Sequence, residues 1–176
     1  LDAIIRDLLE LSRLEQSAKY NLERRVMPVA GVLKNAAELC QSRCGQDGVK
    51  IRVDCGEQLA AVMHPGLIEQ AVVNLIDNAI KYGVSVNNAE IEVTARSEGG
   101  SVEIAVRDHG QGIETAHLER LFERFYRVDK GRSRDLGGTG LGLAIIKHVA
   151  LIHGGTVGVR SEIGKGSEFL LRLPIG

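Results

Sequence analysis

A glycine-rich turn that runs directly into an apolar, helix-like segment limits the possible folds of this chain more than any other feature. Residues 137–143 read GGTGLGL, with four glycines in six residues, and AIIKHVA follows at 144–150. Glycine lets the backbone approach a ligand closely, and the helix that follows directs unpaired N–H groups and its positive dipole end at the turn. The pattern predicts either an anion site, most often for phosphate, or a simple helix entry. The Lys-Ser/Thr pair of the P-loop is missing at the expected distance, which argues against that type of phosphate site.

Size and charge exclude several classes of protein. The 176 residues suffice for one domain with a sizeable core. A net charge of −1 leaves no broad basic field for nucleic acid. No apolar run approaches the roughly eighteen residues of a membrane span. Three cysteines, an odd number, favour a reducing compartment, and without further well-placed ligands we expect thiols that are packed or on the surface rather than a metal site.

The first residues show the apolar spacing of an amphipathic helix, with Leu1, Ile4, Ile5, Leu8 and Leu11 on one face. One interpretation is a short helix that packs on its own domain. The other, which the rest of the chain favours, is the end of a longer dimerising helix. We therefore divide the chain into a helical segment at 1–18 and a main domain at 19–176.

Hydrophobic periodicity predicts helices and strands in alternation. Helices are expected at 1–18, 28–44, 65–82, 118–125 and from the glycine turn to about 152. Strands are expected at 20–26, 49–53, 59–63, 89–96, 101–107, 156–161 and 167–173. After the first helix the order is β-α-β-β-α-β-β-α-β-β. Antiparallel hairpins with helices between them predict an α+β fold, a two-layer sandwich.

The helix predicted at 65–82 has a broad apolar face and a narrow polar stripe. At ~100° per residue the stripe comprises Gln70, Asn74, Asp77, Asn78 and Lys81. Exposed helix surface favours Glu and Lys, whereas Asn is a poor helix former, so two Asn four residues apart need an explanation. The stripe is either functional or simply a solvated face. Amide oxygens suit Mg²⁺ that phosphates and water already hold, and the lysine adds a cation for the same phosphates.

Two further segments combine chemistry with unusual composition. Asp108 follows a predicted strand, and Gly110 and Gly112 come shortly after it. One interpretation of this segment is a plain turn. The other is a pocket edge where the carboxylate accepts the amine of adenine and the glycines leave room for the base. The aromatic segment 121–127 precedes a polar stretch at 128–138, which we expect to be a mobile lid. Arg127 can offer a bidentate fork to phosphate.

These four segments, in this order, resemble the motifs of sensor histidine kinases. Residues 74–82 (NLIDNAIKY) resemble the N box, 108–112 (DHGQG) the first glycine box, 121–127 (LFERFYR) the F box and 138–143 (GTGLGL) the second glycine box. The glycines at 154–155 and 164–166 match the closing hairpin of the family. Residues 7–15 resemble the end of the second dimerisation helix, and the phosphate-regulon type of membrane sensor is the nearest likeness.

The resemblance implies the ATP-binding fold shared with gyrase B and heat-shock chaperone ATPases. It implies that Asn78, assisted by Asn74, binds Mg²⁺, and that Lys81 and Arg127 bind phosphates. Asn74, Lys81 and Arg127 are thereby the expected catalytic residues. The full set expected to contact ATP is Asn78, Lys81, Tyr82, Asp108, Gly110, Gly112, Ile113, Phe125, Arg127, Thr139, Gly140, Leu141, Gly142 and Leu143. Tyr82 is expected against the adenine or ribose, and the residues from Thr139 to Gly142 around the triphosphate.

The resemblance also implies protein partners and a phosphoacceptor histidine, which this chain does not contain in the motif of the family. The five histidines of the chain are His64, His109, His117, His148 and His153, and none stands in the phosphoacceptor motif of the family. The acceptor is therefore expected on a helical domain outside this chain, with a response regulator as the next partner. A membrane-anchored homodimer with this domain in the cytoplasm is the expected setting.

Three alternatives share the fold. Hydrolysing relatives place a Glu one turn before the metal Asn as a general base; Asn74 stands there and cannot take a proton from water, which favours transfer over hydrolysis. An anti-sigma-type serine kinase is usually a bare domain, so the N-terminal helix argues against it. A nucleotide-sensing module without catalysis remains open at this stage.

Overall fold

The computed structural model describes residues 2–17, 23–44, 48–83, 90–128 and 138–175. The helices are α1 (Asp2–Ser17), α2 (Val29–Cys44), α3 (Pro65–Asn78), α4 (Thr115–Leu118) and α5 (Gly142–Ile152), and a π-helical turn (Ala79–Gly83) follows α3. The strands are β1 (Arg25–Pro28), β2 (Lys50–Cys55), β3 (Ala60–Met63), β4 (Glu90–Glu98), β5 (Ser101–Arg107), β6 (Thr156–Glu162) and β7 (Gly166–Pro174). Among the described residues, no helix has both the length and the apolar character needed to cross a membrane.

Five strands form one mixed sheet in the order β2-β4-β5-β7-β6. Among the described strands of this sheet, β2 and β4 are the one parallel pair, and α3 lies on the crossover between them together with β3. The hairpins β4–β5 and β6–β7 are antiparallel, as the sequence predicts. A separate two-stranded ribbon pairs β1 with β3. The predicted α+β two-layer sandwich is confirmed.

The core lies between one face of the sheet and a layer formed by α2, α3 and α5. Strand β4 alternates buried with partly exposed residues because its side chains point to opposite faces, and its buried positions meet the helices. The apolar face of α3 contributes Ile68, Val72, Leu75 and Ile76, each at most 1% exposed. That face fixes the rotation of α3, so the polar stripe on its other side points away from the core.

Three element boundaries differ from the sequence prediction. The first strand runs to Pro28, so the proline ends a strand and α2 begins at Val29. Regular α-helix stops at Asn78 and not at 82. The short helix α4 occupies Thr115–Leu118, so only the first residue of the helix predicted at 118–125 is helical, and turns and bends fill 119–125. Of the predicted lid at 128–138, only the two end residues are described.

The N-terminal helix packs on the domain that follows it. Leu11 and Leu14 are 3% and 4% exposed and belong to the core, where α1 lies against α5. The apolar residues Ile4, Ile5 and Leu8 stay largely exposed, at 39%, 48% and 42%. The predicted amphipathic face is therefore divided, with one end buried in the domain and the other end exposed.

Candidate functional site

A cavity of about 770 Å³ lies beside α3 and brings the four sequence motifs together. Its walls are α3 with the π turn, the loop after β5, the end of the F box, the start of α5 and one face of α1. The expected site residues that line it are Asn74, Asn78, Lys81, Tyr82, Asp108, Gly112, Ile113, Arg127, Thr139, Gly140, Gly142 and Leu143. Gly110, Phe125 and Leu141 are not among the lining residues.

The polar stripe of α3 faces this cavity along its whole length. His64 caps the helix, because its Nδ1 accepts a hydrogen bond from the N–H of Leu67 over 3.3 Å. Asn74 and Asn78 lie one turn apart on the stripe and are both half-buried. Two amide oxygens at the edge of an open cavity can hold a hard cation that is already coordinated mainly by other oxygens.

Asp77 lies on the same stripe, and two side chains of α2 contact its carboxylate. The Cys40 thiol lies 3.8 Å from its Oδ1, and Arg43 lies 3.5 Å from its Oδ2. Burial, followed by the charge of Asp77, raises the pKa of the Cys40 thiol to about 12. The thiol is neutral, and it is packed in the core, one of the two settings expected from the sequence. Within the described residues, no cluster of three or more His, Cys, Asp or Glu is suited to a metal.

The π turn sets the positions of Lys81 and Tyr82. It widens the last turn of the helix, a distortion that is frequent at functional sites. The turn ends at Gly83, where an added Cβ would lie 2.2 Å from Cγ of Asp108. The glycine therefore allows the end of the N box to touch the first glycine box.

Asp108 is 5% exposed and lies on the cavity wall. Its Oδ1 accepts hydrogen bonds from the N–H groups of Gly110 and Ser167, over 2.9 and 3.2 Å. Both bonds fall on one oxygen, which leaves Oδ2 to accept from a ligand. Burial raises the pKa of Asp108, and the two N–H donors oppose that shift.

The rest of the first glycine box is attached to neighbouring strands. His109 Nε2 lies 2.9 Å from Oε1 of Glu92 on β4. Gly112 has a φ of +73°, and a Cβ there would lie 2.1 Å from the carbonyl oxygen of Glu162. Ile113 donates its N–H to Ser161 Oγ over 2.8 Å. The loop is therefore held by β4 on one side and by the β6–β7 hairpin on the other.

The F box forms turns because of the backbone of Phe125. Its φ of +62° is left-handed, which no α-helix accommodates, and its N–H donates to the carbonyl of Gly140 over 2.8 Å. An added Cβ on Gly140 would lie 2.9 Å from that backbone. The F box thus makes direct contact with the second glycine box, while the Phe125 ring is 55% exposed.

Arg127 ends the F box and points into the cavity. Its Nε and one terminal nitrogen are buried, and neither has a hydrogen-bond partner among the described residues. A guanidinium in this setting suits an anionic ligand, because a bidentate acceptor satisfies two of its donors at once.

The second glycine box leads into the eleven-residue helix α5. Thr139 Oγ1 accepts the N–H of Leu141 over 3.2 Å and donates to Oδ2 of Asp7 over 2.6 Å. The Leu141 side chain is fully buried, so it serves the core and anchors the start of α5. The first N–H groups of an α-helix have no partner within the helix, and those of α5 stand next to this turn, as an anion site requires.

Sequence reasoning missed the contribution of α1. Arg6, Asp7 and Glu10 line the cavity although they precede the N box by more than sixty residues. Their i, i+1 and i+4 spacing places them on one side of a helix, but only the docking of α1 shows which surface they meet. Tyr126, Ser167 and Phe169 also line the cavity without having been predicted.

Comparison with known proteins fits this geometry. Residues 63–176 match the family model "Histidine kinase-, DNA gyrase B-, and HSP90-like ATPase". The sensor-like histidine kinase SenX3 of Mycolicibacterium smegmatis is 41% identical over 171 residues, which cover 97% of this chain and 44% of that protein. The chain therefore spans less than half the length of this relative.

Solved structures agree. Full-length ShkA in complex with AMPPNP superposes with a TM-score of 0.80 at 30% identity, covering 98% of this chain and 35% of that one. The ATP binding domain of PrrB from Mycobacterium tuberculosis gives a TM-score of 0.68 at 27% identity, covering 88% and 99%. The four motifs, the sheet order and the family match lead to one assignment. The chain belongs to the histidine kinase-, DNA gyrase B- and HSP90-like ATPase family, as a catalytic domain of the sensor histidine kinase type.

Proposed function

We propose that this chain binds Mg·ATP in the cavity beside α3 and transfers the γ-phosphoryl group to a histidine of a helical domain in the whole protein, for relay to an aspartate of a response regulator. The convergence of Asp108, the amide stripe of α3 and Arg127 on one cavity carries the proposal. In this setting 1–18 belongs to the helical domain and 19–176 to the catalytic domain. The whole protein is a membrane-anchored homodimer with this domain in the cytoplasm.

The cavity residues form two groups, one that binds the adenine and ribose and one that binds the phosphates. Asp108 accepts the exocyclic amine of adenine through Oδ2, while the N–H of Gly110 holds Oδ1 and Gly112 lies beside the base on the cavity wall. Tyr82 lies against the adenine or ribose. At the other end, the turn from Thr139 to Gly142, with the N–H groups of α5, holds the phosphates.

Two cationic side chains and two amides act on the phosphates. Lys81 and Arg127 neutralise and orient them, and phosphate oxygens satisfy the buried nitrogens of Arg127 that have no partner among the described residues. Asn78, with Asn74, offers amide oxygens that suit Mg²⁺. The metal, when bound, neutralises charge on the phosphates during transfer. Of the other residues expected to contact ATP, Ile113 and Leu143 supply apolar wall, whereas Phe125 and Leu141 do not line the cavity.

Transfer to protein is favoured over hydrolysis by Asn74. An amide cannot act as the general base that would activate water. Since this side chain lies on the cavity wall one turn before Asn78, water near the phosphates finds no carboxylate at that position. We expect the chain to bind ATP and to hydrolyse it slowly.

The test combines a measurement of ATP binding with an assay for transfer of labelled phosphate to protein. Calorimetry should show Mg·ATP binding to this chain, and γ-labelled ATP should leave the chain unlabelled. The longer protein that includes the acceptor helix should become labelled with a phosphoramidate, which is acid-labile and base-stable. An acid-resistant label on the present chain would point to a serine kinase and refute the proposal. ATP binding without labelling of the longer protein would leave only a sensing module.

A further inference from the structure

Helix α1 closes one side of the cavity at its phosphate end. Leu11 and Leu14 bury its inner face in the core, and Glu15 forms an ion pair with Arg124 of the F box. Because the helix is held at Leu11, Leu14 and Glu15, residues one to two turns before these positions reach the cavity. Asp7 and Glu10 are therefore carboxylates on the wall of a site whose proposed ligand is an anion.

Asp7 makes the closest of these contacts. Its Oδ2 accepts the hydroxyl proton of Thr139 over 2.6 Å, and the same hydroxyl accepts the N–H of Leu141. A threonine hydroxyl has a single proton, so Thr139 cannot donate to a phosphate oxygen while it donates to Asp7. The carboxylate thus takes a donor of the second glycine box.

Glu10 adds a second carboxylate one turn later. One of its oxygens is buried without a hydrogen-bond partner among the described residues. Burial and the neighbouring Asp7 both raise the pKa of Glu10, while a hydrogen bond with Gln70 lowers it. Asp7 therefore places negative charge in a partly desolvated wall, where repulsion of phosphate is stronger than in open water, while the raised pKa of Glu10 lessens the charge that Glu10 adds.

We propose that Asp7 is an internal competitor of nucleotide phosphate, so that docking of α1 and binding of the triphosphate weaken each other. This inference rests on the proposed function, because it requires the phosphates at Thr139. Linkage makes the effect reciprocal: a docked α1 lowers affinity for ATP, and bound ATP releases α1 by the same factor.

Calorimetry with Asp7 variants of the full chain tests the competition. Asp7→Ala removes both the charge and the acceptor, and should tighten ATP binding on the order of tenfold, the worth of a charge-assisted hydrogen bond. Asp7→Asn keeps an acceptor and should give a smaller gain. Binding of adenosine, which has no phosphate, should not change. Glu98→Gln, an exposed residue at the tip of the β4–β5 hairpin, removes one negative charge far from the cavity and serves as the control.

The ion pair at the end of α1 provides a second test that substitutes no residue lining the cavity. Glu15→Arg places like charges opposite each other, should undock α1 and should tighten ATP binding. The charge-swapped double variant Glu15→Arg, Arg124→Glu restores the pair and should return the affinity toward that of the unchanged chain. Simple loss of charge at either residue would not produce this recovery.

Hydrogen exchange gives a readout that a purely structural contact would not produce. Saturating ATP should increase amide exchange within Asp2–Ser17, because an undocked single helix frays. Unchanged ATP affinity in Asp7→Ala, or greater protection of α1 with ATP, would overturn the inference while ATP binding itself still supports the proposed function. Failure of every variant to bind ATP would overturn both.

Discussion

The backbone N–H of His64 donates to Nε2 of His153 over 3.0 Å, which joins residues 89 positions apart in the chain. His64 caps the start of α3, and His153 caps the end of α5. His153 also holds a bond of 2.7 Å from Nδ1 to the carbonyl of Val149. Since Nε2 accepts, the ring is neutral with its proton on Nδ1. One buried imidazole therefore ties together the two helices that border the cavity.

This neutral histidine predicts a dependence of stability on pH. Burial lowers the pKa of His153, which is 1% exposed, more than its bond to Val149 raises it. Its folded pKa lies below the unfolded value of about 6.5, so the unfolded chain binds a proton first and the free energy of unfolding falls as pH drops below about 6.5. Urea unfolding of the unchanged chain from pH 7.5 to 5.5 should show this loss.

The matched variant is His153→Gln, whose amide can keep both an acceptor and a donor. It should be less stable at pH 7.5 but lose less stability on acidification. His117→Gln, at a half-buried site bonded to Tyr126, is the control. Equal pH slopes for His153→Gln and the unchanged chain would show that this ring does not carry the effect.

Asp108→Asn should weaken adenine binding while the fold is kept. Oδ1 holds two backbone N–H groups, so an Asn that keeps those bonds turns its NH₂ toward the ligand, where a donor meets the donor of the base. The loss should be roughly 2 kcal/mol for a charge-assisted bond. Calorimetry with ATP measures it, and Asp54→Asn at an exposed ion pair is the control.

The same carboxylate predicts that adenine binding weakens in acid. Because burial raises the pKa of Asp108 above its usual 3.8, it should protonate and lose its acceptor at a higher pH than a surface carboxylate does. For the Asp108→Asn variant described above, an unchanged affinity for ATP would contradict the assignment of Asp108 to the amine of adenine.

The sequence predicted the parts of the fold that depend on local periodicity. Two strand-like segments around a glycine turn predicted the β4–β5 hairpin, and the apolar face of α3 defined its polar stripe. Only the resemblance to the histidine kinase motifs brought the N box and the Asp108 loop to one expected ATP site. A short helix was predicted at 118–125 from the pattern of these residues, which overlaps the start of the F box. The left-handed backbone of Phe125, which depends on contact with Gly140, overrides that local pattern.

Contacts between distant residues could not be predicted. Thr139 and Asp7 are 132 positions apart, and no pattern in the sequence predicts the hydrogen bond between them. The π turn has a similar origin, since it ends where Gly83 touches the Asp108 loop. Both features arise from tertiary packing, which overrides local propensity.

Gly110→Ala should destabilise the site from within. A Cβ at this position would lie 2.5 Å from Cα of Gly83, so the first glycine box and the end of the N box would have to separate. We expect a loss of roughly 1–3 kcal/mol in the free energy of unfolding, together with weaker ATP binding. Gly56→Ala, where a Cβ meets nothing within 4 Å, is the control for denaturant melts. A variant as stable as the control would show that the two boxes can move apart freely.

Asn78→Ala should remove the effect of Mg²⁺ on nucleotide binding without lowering stability. Its side chain faces the cavity, so truncation opens no hole in the core. Titration of ATP with and without Mg²⁺ should give different affinities in the unchanged chain and equal affinities in the variant. Gln70→Ala, on the same stripe two turns earlier, should keep the difference. A variant that still responded to Mg²⁺, or that melted at a much lower temperature, would contradict the metal role.

Arg127→Gln should weaken binding in proportion to the number of phosphates on the ligand. The guanidinium has two buried nitrogens without partners among the described residues, and phosphate oxygens would satisfy both in the complex. Each charge-assisted bond is worth roughly 1.5–3 kcal/mol, so affinity for ATP should fall at least tenfold while adenosine binds as before. Arg52→Gln on the exposed face of β2 removes the same charge away from the cavity and should leave both affinities unchanged. Equal losses for ATP and adenosine would place Arg127 at the base or in the structure of the F box, and not at the phosphates.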